Sequence, residues 1–233
     1  MNIPMEKRIN FSKENPHEKV KEKEKKIFNF LNLTSLYYFK HDKDFSEAVS
    51  FSGSYNFPDG AMIARKLLTE KYRGPDFTRI TLTHKDFKNK KHFFIGLKKE
   101  EIELLSKVSG INIKKINTHN PSYIKGTKFP PQEIKEMIKK INDFNPDFLW
   151  VCVGNPKQEI LSYQIFKEVK VKKIFNVGAA LDFFLGKQKE APKFFKDSGF
   201  EWLYLGFTNP KRTLKKIKLN FIALLYLGGI KKE

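Results

Sequence analysis

The feature that most constrains this chain is an apolar run that ends abruptly in a glycine turn. Six apolar residues, Phe148 to Val153, are followed directly by Gly154, Asn155 and Pro156. An apolar run bounded by turn residues predicts a strand buried on both faces. We expect a helix to follow, with Asn155 as its N-cap and Pro156 as its first residue.

This turn supports two interpretations. A helix that begins after a buried strand is where α/β proteins bind anions, because free backbone N–H groups and the positive end of the helix dipole converge there. Alternatively, Asn155 and Gln158 form a capping box, and Lys157 is a solvent-exposed helix charge. The spacing alone leaves both interpretations open.

Apolar strand patterns alternate with helix patterns over residues 92–185. This alternation predicts an α/β fold, with a mostly parallel, Rossmann-like sheet and helices on both faces. The strands are expected to end near Gly96, Thr118-His119, Gly154 and Gly178, at one shared edge where ligands bind. Upstream, Leu36 to Phe39 is interpreted as a further strand.

Two aspartates have both a structural and a functional interpretation. Asp59 precedes a helical pattern at Ala61 to Leu68, so it is either an N-cap carboxylate, worth about 1 kcal/mol, or a carboxylate that acts on a substrate. The spacing by itself favours the cap. Asp182 lies among apolar residues and is either a first-turn helix carboxylate or a buried acid that needs a partner.

The charge balance indicates an anionic partner. A net charge of +19 fits nucleic acid, an anionic membrane surface or a phosphorylated substrate. We do not expect nucleic acid, because the basic residues are not interleaved with aromatic ones and no nucleic-acid-binding motif is present. The single cysteine, Cys152, excludes an intramolecular disulfide and fits a reducing cytoplasm.

The composition divides the chain into three predicted segments. Residues 1–26 form a polar, charged tail, residues 27–206 an α/β core, and residues 207–233 a basic amphipathic C-terminal appendage. No apolar stretch reaches the roughly 18 residues needed to cross a bilayer, and no signal peptide is expected. The appendage either lies in a membrane interface or forms a last core helix with a basic solvent face.

Several motifs resemble the WecG/TagA/CpsF glycosyltransferases, in that family's order and over roughly residues 55–218. The motifs are Pro58-Asp59-Gly60, Arg73-Gly74-Pro75-Asp76, Val153 to Glu159, Val177 to Phe183, Ala191-Pro192, Gly199 to Tyr204 and Pro210-Lys211-Arg212. The Gly154-to-Glu159 stretch, taken together with Glu201 to Tyr204, is the specific part of this resemblance.

The resemblance implies an enzyme that moves an N-acetylmannosamine-type sugar from a UDP donor to a polyprenyl-diphosphate-linked acceptor in cell-surface polysaccharide synthesis. The family is described as inverting and metal-independent, with no cofactor, and as working peripherally at the inner face of the cell membrane. Asp59 maps to its general base. The implied substrate-binding residues are Gly60, Arg73, Asp76, Gly154, Asn155, Pro156, Lys157, Gln158, Glu159, Gly178, Asp182, Lys211 and Arg212.

Two positions depart from the family pattern by replacing a common arginine, with Glu190 before Ala191-Pro192 and with Leu205. A missing cation weakens diphosphate binding unless Lys193, Lys211 or Arg212 supplies the charge. Two rival functions stay open: a protein that binds nucleotide sugars without turnover, and a basic nucleic-acid-binding protein.

Overall fold

A computed structural model describes residues 9–198, 200–201, 204, 207 and 210–227, with the side chains of residues 210–216 left out. Its centre is a six-stranded sheet in the order β2-β1-β6-β5-β3-β4, and every neighbouring pair is parallel. The strands are β1 (Lys26–Leu31), β2 (Ser54–Pro58), β3 (His92–Ile95), β4 (Ile116–His119), β5 (Phe148–Val151) and β6 (Lys173–Asn176).

Helices connect the strands and cover both faces of the sheet. They are α1 (Pro16–Val20), α2 (Leu33–His41), α3 (Lys43–Ser50), α4 (Ala61–Leu67), α5 (Gly74–Thr83), α6 (Lys85–Lys88), α7 (Ile102–Ser109), α8 (Pro131–Phe144), α9 (Lys157–Ile165), α10 (Ala180–Phe184), α11 (Lys193–Ser198) and α12 (Pro210–Leu224). Short 3₁₀ turns precede α7 and β4. The Rossmann-like α/β prediction is confirmed.

Alternate residues of the central strands enter two separate apolar layers. Trp150 and Phe175 pack with Phe77 of α5 on one face of the sheet. Leu149 and Ile174 pack with residues of α8 and α9 on the other face. Both faces of β5 are therefore buried, and this explains why its sequence is continuously apolar instead of alternating.

Two local predictions are wrong. The segment Leu36 to Phe39 is helical and belongs to α2, because Asn32 and Ser35 form a reciprocal capping box that starts a helix directly after β1. Asn155 does not cap α9, which begins at Lys157 after a cis Asn155–Pro156 peptide. Its side chain is instead drawn to α2, where Nδ2 donates to Ser35 Oγ over 3.2 Å.

The C-terminal helix α12 packs against the rest of the fold through one apolar face. Leu219 and Ala223 are buried, and Ala223 belongs to a cluster with Leu33 and Leu36 of α2. On its outer side, Phe221 is 56% exposed, and Leu225, just past the helix, is 80% exposed. Within the described residues, no helix combines the length and apolarity required to cross a membrane.

Candidate active site

A cavity of about 250 Å³ lies at the carboxyl edge of the sheet. Its wall is built by the segments that follow four adjacent strands, namely β2, β1, β6 and β5. These segments contribute Asn32, Leu33, Thr34, Asp59, Gly60, Ala61, Met62, Ile63, Gly154, Asn155, Val177, Gly178, Ala179 and Ala180. Parallel strands bring their loops to one edge, so loops distant in sequence meet here.

The two glycine turns singled out in the sequence touch each other. The Cα atom of Gly154 lies 3.6 Å from the position that a Cβ at Gly178 would occupy, and Gln158 Oε1 lies 3.2 Å from it. Gly178 also has φ +53°, a conformation that favours glycine. A side chain at this position would therefore push the two turns and Gln158 apart.

Two buried amide side chains present acceptors at the cavity wall. Gln158 Nε2 donates to Glu159 Oε1 over 2.9 Å, and Asn155 Nδ2 donates to Ser35 Oγ. The carbonyl oxygens of both amides are buried, and neither has a hydrogen-bond partner among the described residues. Because buried acceptors are rarely left unpaired, these oxygens are suited to receive a hydroxyl or N–H group of a ligand.

Asp59 lines the cavity and does not act as a helix cap. Gly60 is the N-cap of α4, and it makes no side-chain capping bond. The Asp59 carboxylate instead accepts from the backbone N–H of Gly74 over 3.4 Å. The capping interpretation that spacing favoured is therefore wrong, since this carboxylate turns towards the start of α5 instead of the helix that it precedes.

The surroundings of Asp59 shift its acidity towards neutral pH. Burial is the main cause and raises the pKa of the carboxyl group to about 7, with a further increase from the negative charge of Glu201. Arg73 and the Gly74 N–H oppose that rise. A carboxyl group with such a pKa exchanges a proton readily near neutral pH, which is what a general base must do.

Arg73 is a buried cation that joins the cavity to a cluster of partly exposed charges. It is only 5% exposed, and its guanidinium contacts Asp76 at 3.1 Å, Glu190 at 3.2 Å and Glu201 at 2.7 Å. Arg79 also pairs with Glu190. The cluster holds the start of α5 to residues more than a hundred positions later in the chain, so it fixes the wall on which Asp59 lies.

The structure brings together some predicted binding residues and not others. Gly60, Arg73, Gly154, Asn155, Gln158 and Gly178 line the cavity. Asp76, Pro156, Lys157, Glu159 and Asp182 do not line it, and the side chains of Lys211 and Arg212 lie outside the described residues.

The side chains off the wall have neighbours of their own. Lys157 Nζ donates to the Ile124 carbonyl over 2.6 Å, and Lys187 pairs with Asp182 at 3.0 Å. Glu159 is buried beside Gln158, and its carboxylate accepts a hydrogen bond from the Gln158 amide. These contacts place the three residues in support of the wall instead of on its surface.

Six polar residues of the wall have no counterpart among the residues predicted from the sequence: Asn32, Thr34, Asn176, Gln188, Lys196 and Asn220. Asn220 lies on the buried face of α12, where its Oδ1 accepts from Thr34 Oγ1 over 2.7 Å. The available signal was an asparagine on the same helical face as Leu219 and Ala223. A buried amide on an apolar face needs a polar partner, and that partner is at the cavity.

Metal ligation finds no support in the described side chains. Within that part of the chain, no group of three or more His, Cys, Asp or Glu side chains is arranged to hold a metal ion. Metal independence remains a prediction about the reaction. Cys152 packs against the core, and burial raises the pKa of its thiol, so it is an inert filler.

Comparison with known proteins agrees with the geometry. The sequence model of the glycosyl transferase WecG/TagA/CpsF family matches residues 7–232. A relative from Bacillus spizizenii, named N-acetylglucosaminyldiphosphoundecaprenol N-acetyl-beta-D-mannosaminyltransferase, is 29% identical over 184 residues, which cover 74% of this chain and 68% of the relative. With a match over nearly the whole chain and a cavity lined by Asp59 at the carboxyl edge of its sheet, this protein belongs to the WecG/TagA/CpsF family and is a glycosyltransferase.

Proposed function

We propose that this protein transfers an N-acetylmannosamine-type sugar from a UDP donor to a polyprenyl-diphosphate-linked N-acetylglucosamine acceptor, with inversion at the sugar. The acceptor follows the relative, whose name gives an N-acetylglucosaminyl-diphosphoundecaprenol substrate. The observation that carries the proposal is the cavity that Asp59 shares with the touching turns of Gly154 and Gly178.

In the proposed reaction, Asp59 removes the proton from the acceptor hydroxyl while that oxygen attacks the anomeric carbon. The bond between the sugar and UDP breaks on the opposite face, so the configuration inverts. With a pKa of about 7, a substantial fraction of Asp59 is ionised at neutral pH. The ionised carboxylate is also a stronger base than an ordinary aspartate, so it accepts the acceptor's proton more readily. General base catalysis of this kind contributes about 10²–10⁴-fold to the rate.

The leaving UDP gains negative charge, and the first turn of α9 borders the cavity where that charge develops. The helix dipole there favours an anion. The N–H groups of Gly178 and Ala180 are less available, because they donate to the carbonyls of Val151 and Val177. On the α9 side, the N–H of Gln158 likewise donates to the Gly154 carbonyl, so we assign the stabilisation there to the helix dipole.

The proposal is tested by incubating the protein with a panel of UDP-sugars and a short-chain prenyl-diphosphate-N-acetylglucosamine acceptor, with products read by mass spectrometry. We expect one added N-acetylhexosamine, with UDP-N-acetylmannosamine as the preferred donor. Binding of UDP-sugars without any product would favour the alternative of a nucleotide-sugar-binding protein. A product formed only from a different donor would correct the sugar and keep the reaction.

We further propose that the outer side of the C-terminal region contacts an anionic membrane, where the lipid-linked acceptor resides. The supporting observation is the exposure of Phe221 and Leu225 in a segment that is rich in lysine. Truncation is a poor test, because Leu219 and Ala223 of the same helix are buried in the fold. Phe221→Asp with Leu225→Asp should reduce flotation with anionic vesicles while transfer to a water-soluble acceptor persists.

A further inference from the structure

The charge cluster beside the cavity leaves one cation in a position to meet a ligand. Of the described residues that line the cavity, Arg73 and Lys196 carry a positive charge. Their surroundings differ in exposure and in the number of carboxylates around each group. That difference decides which of the two is available to an anion.

Arg73 is committed to the protein. Its guanidinium is almost fully buried and contacts three carboxylates, from Asp76, Glu190 and Glu201. Turning it towards a ligand would leave these carboxylates without their shared partner, and unpairing buried charges is costly. Arg73 therefore organises the wall and does not bind an anion by moving.

Lys196 is held much more loosely. Its side chain is 25% exposed, and its Nζ contacts one carboxylate, Glu190 Oε2, at 3.1 Å. Glu190 also accepts from Arg73 and Arg79. When Lys196 turns away, Glu190 keeps two guanidinium partners, so the exchange leaves no buried charge unpaired.

We infer that Lys196 binds a diphosphate in this cavity by exchanging Glu190 for phosphate oxygens. The inference rests on the proposed function, because it assumes a diphosphate substrate at this site. Of the three cations that the sequence offers in place of the arginine displaced by Glu190, Lys193 is exposed and lies outside the cavity wall. The side chains of Lys211 and Arg212 lie outside the described residues.

Glu190, the carboxylate before Ala191-Pro192, then controls how Lys196 meets the ligand. Glu190 keeps the ammonium group of Lys196 at the cavity and competes with phosphate for it. The donor and the lipid-linked acceptor both contain a diphosphate, so the shared chemistry is a pair of phosphates. The experiment separates the two sources.

The test measures binding by calorimetry to UDP, to uridine and to a short-chain prenyl-diphosphate-N-acetylglucosamine acceptor. Lys196→Met should weaken binding of one diphosphate ligand by about tenfold or more, because a charge-assisted contact is lost. Uridine binding should not change, and Lys196→Arg should restore most of the loss. Lys193→Met, on the same short helix but exposed, is the matched control and should bind every ligand as the wild type does.

The ligand whose binding falls identifies the source of the diphosphate. If Lys196→Met binds UDP and the acceptor as tightly as the wild type does, the lysine assignment is overturned and the proposed function is left intact. A wild-type protein that binds neither diphosphate ligand would overturn both. Equal weakening of uridine binding would assign Lys196 a structural role and also overturn the inference.

Glu190→Gln tests the exchange from the other side. Removing the competing charge should strengthen binding of the same diphosphate ligand several-fold, in the opposite direction to Lys196→Met. Thermal unfolding of each variant shows whether the fold is kept. Weaker diphosphate binding in a folded Glu190→Gln protein would overturn the exchange.

Discussion

The two halves of the sheet's carboxyl edge are built from the same strand-turn-helix units, and they do different things. The segments after β2, β1, β6 and β5 surround the cavity. Among the described residues, those of the segments directly after β3 and β4 do not line it. The sequence placed Gly96 and Thr118-His119 at the same edge as Gly154 and Gly178, so the halves looked equivalent before the fold was known.

The difference lies in what fills each half. At the β3–β4 half, the Thr118 hydroxyl lies 2.8 Å from the Phe94 carbonyl and 2.5 Å from the Leu97 carbonyl. The backbone of Gly96 approaches Cys152 so closely that a Cβ would lie 3.2 Å from its carbonyl carbon. At the other half, the carbonyl oxygens of Asn155 and Gln158 have no partner among the described residues. Protein groups fill the β3–β4 half, where His119 Nε2 is a buried atom without a hydrogen-bond partner among the described residues, and the other half retains two carbonyl acceptors for a ligand.

The strongest test of this contrast replaces a carboxylate by an amide in each half. Asp59→Asn should lower kcat by about 10²–10⁴-fold, because the base is lost, while UDP binding is unchanged. Glu133→Gln, near His119 at the end of β4, is the matched control and should leave kcat within about twofold of the wild type. An unchanged kcat in Asp59→Asn would remove Asp59 from the role of base.

A second test compares two glycines with positive φ. Gly178→Ala strains the backbone and displaces Gln158, so KM for the UDP-sugar should rise by about tenfold. Gly110→Ala introduces a similar strain at the end of α7, where a Cβ meets only the flexible end of Lys88. It should lower the free energy of unfolding by about 1 kcal/mol and leave KM as it is. Equal KM values in the two variants would show that the cavity does not depend on the Gly178 turn.

The pH profile tests the electrostatics of the cavity half. Because only ionised Asp59 accepts a proton, kcat/KM should rise with pH and level off above about 7, the pKa of this carboxyl group. Glu201 raises that pKa, so Glu201→Gln should move the rise to lower pH. Arg73 retains Asp76 and Glu190 in this variant. A profile that moves to higher pH would contradict the assignment.

The smallest effect on activity is expected at the filled half. Thr118→Val removes the single hydroxyl hydrogen that lies within reach of the Phe94 and Leu97 carbonyls, with little change in volume. We expect a loss of about 1–3 kcal/mol in the free energy of unfolding, because buried acceptors lose their donor. Urea denaturation measures that loss, and steady-state kinetics should show kcat and KM unchanged. A large change in KM would mean that the two halves are coupled.

Local patterns were sufficient to predict the fold class and the strands β3, β5 and β6, but they did not identify β1 or β2 as strands. The run at β5 is continuously apolar because both faces of this strand are buried, and β3 and β6 carry shorter apolar runs for the same reason. The prediction failed at Leu36 to Phe39. A short apolar run reads as strand or helix alike, and the capping box that Asn32 and Ser35 form set the outcome.

The candidate site was only partly predictable. Its glycine turns and Asp59 stand out in the sequence through the motifs that carry the family resemblance. Asp59 was nevertheless favoured as a cap on spacing alone, since its actual contact, the N–H of Gly74, lies 15 residues further along the chain. Asn220 gave no motif, because its partner Thr34 lies 186 residues away in sequence. Lys196 pairs with the nearby Glu190, but only the fold places that pair at the cavity.

The sequence by itself determined the α/β fold class and the strands β3, β5 and β6 with the turns that end them, because these properties follow from burial patterns within each segment. Only the tertiary structure decided which half of that edge opens into a cavity. That outcome depends on strand order, which brings β6 between β1 and β5, and on charges more than a hundred residues apart. Such ion pairs join residues that are far apart in the sequence, and the sequence alone does not show that the fold brings them together.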